Sequence, residues 1–448
     1  MNKKYTYFIV IFLFLAVIIF IITRYYDRQK EKENRVYTLL DRNGSLAQAA
    51  EWGTTKNLAD KYFAALKQNP NDTKALLGLA SIFIQEGRVT GNYIYYDAAA
   101  MKYVNDVLKT DTLNFDALIY KSLIYLSQHH FAEGLVTAQK AQQVNPYNAF
   151  VYGILVDGNV EMGNYDSAVV NSDRMVSIRP DLRSYSRISY LREIYGDYPG
   201  AIVAMKMAVQ AGGPGEESTE WARVQLGLLY ERTGDLKNAE INYTTALQVR
   251  PDYAYAIAGL ARIASANKDY NKAINFYLQA DSLVLDNSFK EELVDLYQLS
   301  GQKDKAAAAA NSVIESLTKD AEKGNSDESI GHYGDRELAA AYLKINNYDK
   351  ALEHALTEYN RRPENIDVNE TLAWVYYKKA DYANALKYIT VAQKTKCKNP
   401  VLLSRAGLIN YKSGDKTAAK ILLQQALANN PNINAELKQE SLTALRSL

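Results

Sequence analysis

The chain has 448 residues, with 52 Lys and Arg against 51 Asp and Glu, and a single cysteine, Cys397. That balance carries no basic stripe of the kind a nucleic-acid polyanion requires, so nucleic acid is not an expected partner. One cysteine excludes an internal disulfide framework and a cysteine-rich zinc site.

From the amino terminus, Lys3 and Lys4 precede an uncharged run from Tyr7 to Thr23, rich in Phe, Ile and Leu. As a helix it spans roughly 26 Å, close to the thickness of a bilayer core. Tyr5 and Tyr7 flank one end and Tyr25 and Tyr26 the other, as interfacial aromatics do. A cleaved signal peptide is the competing reading. The run passes into Thr23-Arg24-Tyr25-Tyr26 with no small-residue cleavage pattern, and no cysteine follows it for lipid attachment. The expectation is therefore an anchor over residues 1–24, crossing the membrane through residues 7–23, and a juxtamembrane linker over 25–38. Arg24, Arg28, Lys30, Lys32 and Arg35 beyond the run favour a cytoplasmic body, whereas a short basic tail before it is how export signals begin. An extracytoplasmic body is the expectation.

Beyond the anchor, proline spacing sets the organisation. Pro70, Pro146, Pro180, Pro251, Pro363 and Pro431 fall at one phase of a repeating unit of about 34 residues. Proline lacks a backbone N–H and disfavours helix in the residue before it, so it suits a break between helices. In the unit beginning at Glu220, Leu226 and Gly227 share a helix face with Tyr230. Gly234-Asp235 breaks that helix, Ala239, Tyr243 and Ala246 run down a second, and Pro251 closes the unit. Alanines recur where the two helices must cross closely, among them Ala168, Ala201, Ala273, Ala351, Ala385 and Ala419. About eleven units are expected over 39–433, starting at Leu39, Thr73, Phe115, Ala149, Leu182, Glu220, Ala254, Asn287, His332, Ile366 and Pro400. The first and third are irregular, and residues 434–448 read as a helix capping the stack. Three insertions interrupt the period: about eight residues around Arg88–Tyr96, the loop Gly212–Gly215, and the polar stretch Ala321–Gly331. Such insertions map to loops and sometimes to binding surfaces, or are simply tolerated variation.

The period and its small, aromatic and proline positions resemble the tetratricopeptide repeat. The resemblance implies an all-α, right-handed superhelical solenoid of helix-turn-helix units. The array is also similar to a group of uncharacterised bacterial tetratricopeptide proteins, many of them membrane-linked or exported. That likeness lies in Arg88-Val89-Thr90-Gly91 with Tyr95-Tyr96, in Ser184-Tyr185-Ser186-Arg187 leading to Tyr190-Leu191-Arg192-Glu193, and in Ala211-Gly212-Gly213-Pro214-Gly215 and Thr371-Leu372-Ala373-Trp374. It implies class and architecture only.

No constellation for chemistry stands out. His129 and His130 fall at a helix–helix turn and His332 and His354 in the ninth unit, none at metal-ligand spacing, and all four read as solvated. Cys397, between Lys396 and Lys398, has no histidine placed to act as its base. Gly212–Gly215 is followed by Glu216-Glu217, which would repel a phosphate. The chain is thus expected to be no enzyme, with no catalytic, cofactor or metal residues and no small-molecule substrate. In repeats of this kind the first helices line a concave groove. The positions that point into it include Arg183, Tyr190, Trp221, Tyr255, Arg262, Trp374 and Tyr377, and aromatics and arginines supply much interface energy. The expected function is a membrane-tethered scaffold that holds a protein or peptide segment in this groove. The alternative is a structural or assembly component of a bacterial envelope or secretion complex that uses its convex face and edges.

Overall fold

The structure is a computed structural model that describes residues 3–326, 331–430 and 432–448. Two compact units are present, residues 1–41 and 42–448. The first holds α1 (Lys3–Asn34), in which Tyr7–Asp27 is long and apolar enough to cross a membrane. Phe8, Phe12 and Phe20 on this helix are uncovered by protein. The helix does not stop at the apolar run but continues to Asn34. Arg, Gln, Lys and Glu over residues 28–33 are good helix formers, so the stretch read as a linker extends the rod.

The second unit is all helical among the described residues. It opens with a 3₁₀ turn (Gly44–Gln48) and α2 (Ala50–Gln68), so the degenerate first repeat contributes one full helix rather than two. Ten helix pairs follow. They are α3 (Thr73–Thr90) with α4 (Tyr93–Thr110), α5 (Phe115–Ser127) with α6 (Phe131–Val144), and α7 (Ala149–Glu161) with α8 (Tyr165–Ile178). Next come α9 (Leu182–Ile194) with α10 (Tyr198–Ala211), α11 (Glu217–Arg232) with α12 (Leu236–Val249), and α13 (Ala254–Ala266) with α14 (Tyr270–Leu283). The last four are α15 (Asn287–Leu299) with α16 (Lys303–Ser326), α17 (Asp335–Lys344) with α18 (Tyr348–Arg361), α19 (Ile366–Lys378) with α20 (Tyr382–Ala392), and α21 (Pro400–Ser413) with α22 (Lys416–Asn429). A final helix, α23 (Ala435–Arg446), packs on α21 and α22.

Local chemistry explains each hinge. Asp197, Asp235, Asp269, Asp381 and Asp415 cap the second helices of their units, each carboxylate accepting from the backbone N–H three residues on. Pro70, Pro146, Pro180, Pro251 and Pro363 each come one residue after a C-cap. Between paired helices the crossing alanines Ala168, Ala201, Ala239, Ala273, Ala351, Ala385 and Ala419 are fully buried. In several units the larger residue four positions on fills the space they leave, as Tyr243, Tyr277, Ile389 and Leu423 do. Tyr243 is fully buried, and a Cβ on Gly227 or Gly259 would meet its ring at 2.4 and 2.6 Å, so it lies pressed between its own unit and the next.

The units wind until successive superhelical turns touch. Contacts join residues about six units apart: His130 to Gly331 (201 residues), Glu161 to Arg362 (201), Glu193 to Cys397 (204) and Glu231 to Asn430 (199). In each, the turn inside one unit meets the junction that follows another. At one crossing Asn365 Nδ2 donates to Glu161 O at 3.0 Å, and the Ile366 amide donates to Tyr165 Oη at 2.9 Å. Arg362 binds the carboxylates of Glu161 and Glu358 there.

Two of the insertions belong to this seam. The first is no loop: α3 and α4 are each 18 residues, against 13 for α5 and 14 for α6, so the extra residues add about one turn to each helix. The longer hairpin reaches the junction after α14, where the Leu285 amide donates to Thr90 O at 3.1 Å. The third leads into Gly331–Tyr333, which lies against the His129-His130 turn; residues 327–330 are outside the described ones.

Candidate functional site: the lumen of the superhelix

The first helices face inward, and where they curve round they enclose a cavity of about 1720 Å³ lined from α3, α5, α7, α9 and α11. Its wall carries both signs of charge, and the arginines are almost all paired. Arg42 donates to both Glu86 oxygens at 2.9 and 2.7 Å, a buried bidentate pair beneath the Trp52 ring. Arg88 pairs with Glu217 at 2.9 Å, and Arg250 with Glu51 at 2.9 Å. Arg187 holds Asp157 with two bonds, at 2.9 and 2.5 Å, and Arg232 pairs with Glu193.

Arg183 is the exception. It lines the cavity with no carboxylate partner among the described residues, and its guanidinium lies 4.6 Å from the centre of the Phe150 ring. Burial lowers its pKa from the ordinary arginine value, partly opposed by Asp181. Tyr190 lines the same wall, with 40% of its surface open. Trp221 lies where this cavity adjoins a smaller one of about 390 Å³, which Tyr255 and Arg262 line. Arg262 is already engaged: Nε donates to Glu231 at 2.9 Å and a terminal nitrogen donates to Tyr243 Oη at 3.2 Å.

Trp374 and Tyr377 lie elsewhere. They stack on each other at 4.7 Å, both are buried, and Tyr377 Oη donates to Glu440 of α23 at 2.5 Å. Their groove phase is occupied by the terminal helix. The structure thus brings Arg183, Tyr190 and Trp221 to one cavity, sets Tyr255 and Arg262 beside it, and packs Trp374 and Tyr377 into the C-terminal core.

The solvated reading of the histidines is overturned. His130 is buried and stacks on Tyr333 at 3.9 Å, and His129 lies 4.2 Å from the His332 ring. His354 Nδ1 is 2.7 Å from Asp335. A turn is exposed in an isolated repeat, but here the ninth unit covers the turn of the third. Cys397 is held against Glu193 O at 3.6 Å, and burial pushes its thiol up to about 11, which disfavours the reactive thiolate. The paired lumen charges Arg42–Glu86 and Arg187–Asp157 escaped the sequence reading. Their partners are 44 and 30 residues apart, with no local spacing to link them.

Helix pairs joined by capped turns, crossing at alanines and winding into a superhelix, define a helical repeat solenoid. Tetratricopeptide repeat family models match residues 59–106 and 222–253, so the chain carries tetratricopeptide repeats in both segments. No curated protein sequence matches it. Among solved structures it is similar to a tetratricopeptide repeat protein of Thermus thermophilus at 18% identity and TM-score 0.37, over 42% of this chain and 97% of that one. It is also similar to PilF of Pseudomonas aeruginosa at 15% identity and TM-score 0.37, over 45% and 90%. The human IFIT1 dimer with m7Gppp-AAAA matches at 13% identity and TM-score 0.48, over 77% and 78%.

Proposed function

We propose that the chain is a membrane-tethered, non-catalytic scaffold that takes a segment of a partner protein into the lumen of its superhelix. Tetratricopeptide repeats are protein-interaction modules, which supports the class. The observation that carries the reading is Arg183, an uncompensated guanidinium on the wall of a cavity whose other arginines are paired. Tyr190 and Trp221 are in the same wall and supply amphipathic contact area. An extended or helical segment with a carboxylate facing Arg183 suits this wall. A polyanion does not, because the remaining positive charge is already neutralised. Tethering rests on Tyr7–Asp27, and the short basic tail Lys3-Lys4 before that run supports an extracytoplasmic body.

The test is affinity capture from solubilised membranes, with the co-purifying proteins identified. Arg183→Ala and Trp221→Ala should each reduce capture at least about tenfold, as loss of an interface anchor does. Undiminished capture by both variants would rule out the lumen. A carboxy-terminal reporter active only outside the cytoplasm checks the orientation.

A further inference from the structure

Where the seam joins the third and ninth units, three metal-ligating side chains converge. His129 lies in the turn between α5 and α6, His332 in the segment before α17, and Glu337 in the first turn of α17. Their ligand atoms all lie within 4.8 Å of one another. No local motif announces the group, because His129 comes from one superhelical turn and the other two residues from the next.

The surroundings suit a ligand set. His129 Nδ1 lies 3.2 Å from Tyr333 O. An N–H donated there fixes the tautomer and leaves the Nε2 lone pair free, which is how metal-binding imidazoles are commonly oriented. Glu337 Oε2 is buried and has no hydrogen-bond partner among the described residues, and Oε1 lies 3.9 Å from His129 Nδ1. A buried carboxylate oxygen without a donor is costly unless something cationic meets it.

The nearby cations are compensated. Arg362 is paired with Glu161 and Glu358, and Arg336 lies 3.9 Å from Asp367. Ligand atoms that share one zinc at about 2.1 Å sit roughly 3.4 Å apart, so the cluster closes by side-chain rotation of about an ångström. His129 and His332 also line the lumen, which leaves room for water or a further donor on that side.

We propose that His129, His332 and Glu337 bind one divalent transition-metal ion of the zinc class, which pins the third unit to the ninth across the seam. Two imidazoles and a carboxylate suit zinc better than magnesium or calcium, which prefer all-oxygen sites. The proposal does not depend on what the lumen holds.

The full-length chain, purified in detergent without a histidine tag and stripped with chelator, is titrated with Co2+ and then with competing Zn2+. One equivalent of Co2+ should bind with visible d–d absorption, and Zn2+ should displace it. Glu337→Gln, which preserves shape, and His332→Ala should each weaken binding at least about tenfold, with helicity checked by circular dichroism. His354→Ala, at a histidine outside the cluster, should bind as the parent does. Absence of stoichiometric Co2+ binding, parental affinity in both cluster variants, or equal weakening by His354→Ala would overturn the site.

Discussion

The turn between paired helices needs one residue in the left-handed region, and its identity follows from what lies opposite. Gly163, at φ 78°, faces the next superhelical turn, where an added Cβ would meet Glu364 backbone atoms at 2.4 Å. Gly301, at φ 76°, has nothing within 4 Å of such a Cβ, and Lys268 and Ala380 hold the same conformation at φ 64° and 59°. Gly301→Ala should therefore cost only the backbone term, about 1 kcal/mol. Gly163→Ala should cost clearly more, because it also pushes the seam apart; chemical denaturation of the two variants checks the order. Asp97 carries a pH signature. Its carboxyl is buried on α4, and burial raises it to about 7, partly opposed by a hydrogen bond from Ser127. The unfolded carboxyl ionises near about 4, so between pH 4 and 7 the unfolded state releases a proton that the folded state keeps. The parent should lose stability relative to Asp97→Asn as pH rises through that window, with a constant gap above it. Melting temperatures of the two proteins from pH 4 to 8 test this.

Among the elements, α23 closes the stack. Without it the last two pairs would leave Leu402, Leu408 and Trp374 at an open end, and they are instead part of one core with Leu437 and Ala444. Trp374 is also flanked by Lys378 and Arg405, each 5.0 Å from its ring centre. Trp374→Ala should destabilise the C-terminal units by about 3–5 kcal/mol, the range for a buried aromatic. Trp221→Ala, on the cavity wall and only partly packed on its core, should cost clearly less stability than Trp374→Ala while reducing partner capture. Denaturation followed by fluorescence, beside the capture assay, separates packing from binding in two residues of one type. The elongated α3–α4 hairpin is the second such element. Its contact protects the Leu285 amide, so shortening both helices by a turn should speed exchange there, readable by hydrogen exchange, with little change in the distant α19–α22.

For the whole molecule, the seam turns an open spiral into a wall. Repeat arrays are held mainly by neighbour-to-neighbour packing, and contacts between units six apart add coupling that a linear stack lacks. Cys397 reports on this coupling, being the sole cysteine and lying against Glu193 across the seam. Its labelling by a thiol reagent should be slow in the parent. Arg362→Ala strands Glu161 and Glu358 at the adjoining crossing, and should speed labelling several-fold through local opening rather than global unfolding. Unchanged labelling would mean that the turns hold without this pair.

The amino-acid sequence by itself determined the period, the helix pairs and the anchor candidate, because each depends on residues a few positions apart. Thr73, Phe115, Ala149, Leu182, Ala254, Asn287, Ile366 and Pro400, expected as unit starts, are the first residues of their helices. Proline after a C-cap, aspartate at an N-cap and alanine at a crossing act within one unit and are visible there. What only the tertiary structure decided is which units meet. The small rotation between neighbours accumulates over six units, and no short spacing encodes the sum. That is why His129 and His332 read as solvated when they are packed together. It is also why an apparent loop at Arg88–Tyr96 became two longer helices that reach the next turn. Arg262, read as a groove residue, is held by Glu231 of the neighbouring unit, 31 residues away, a spacing that no local motif marks either.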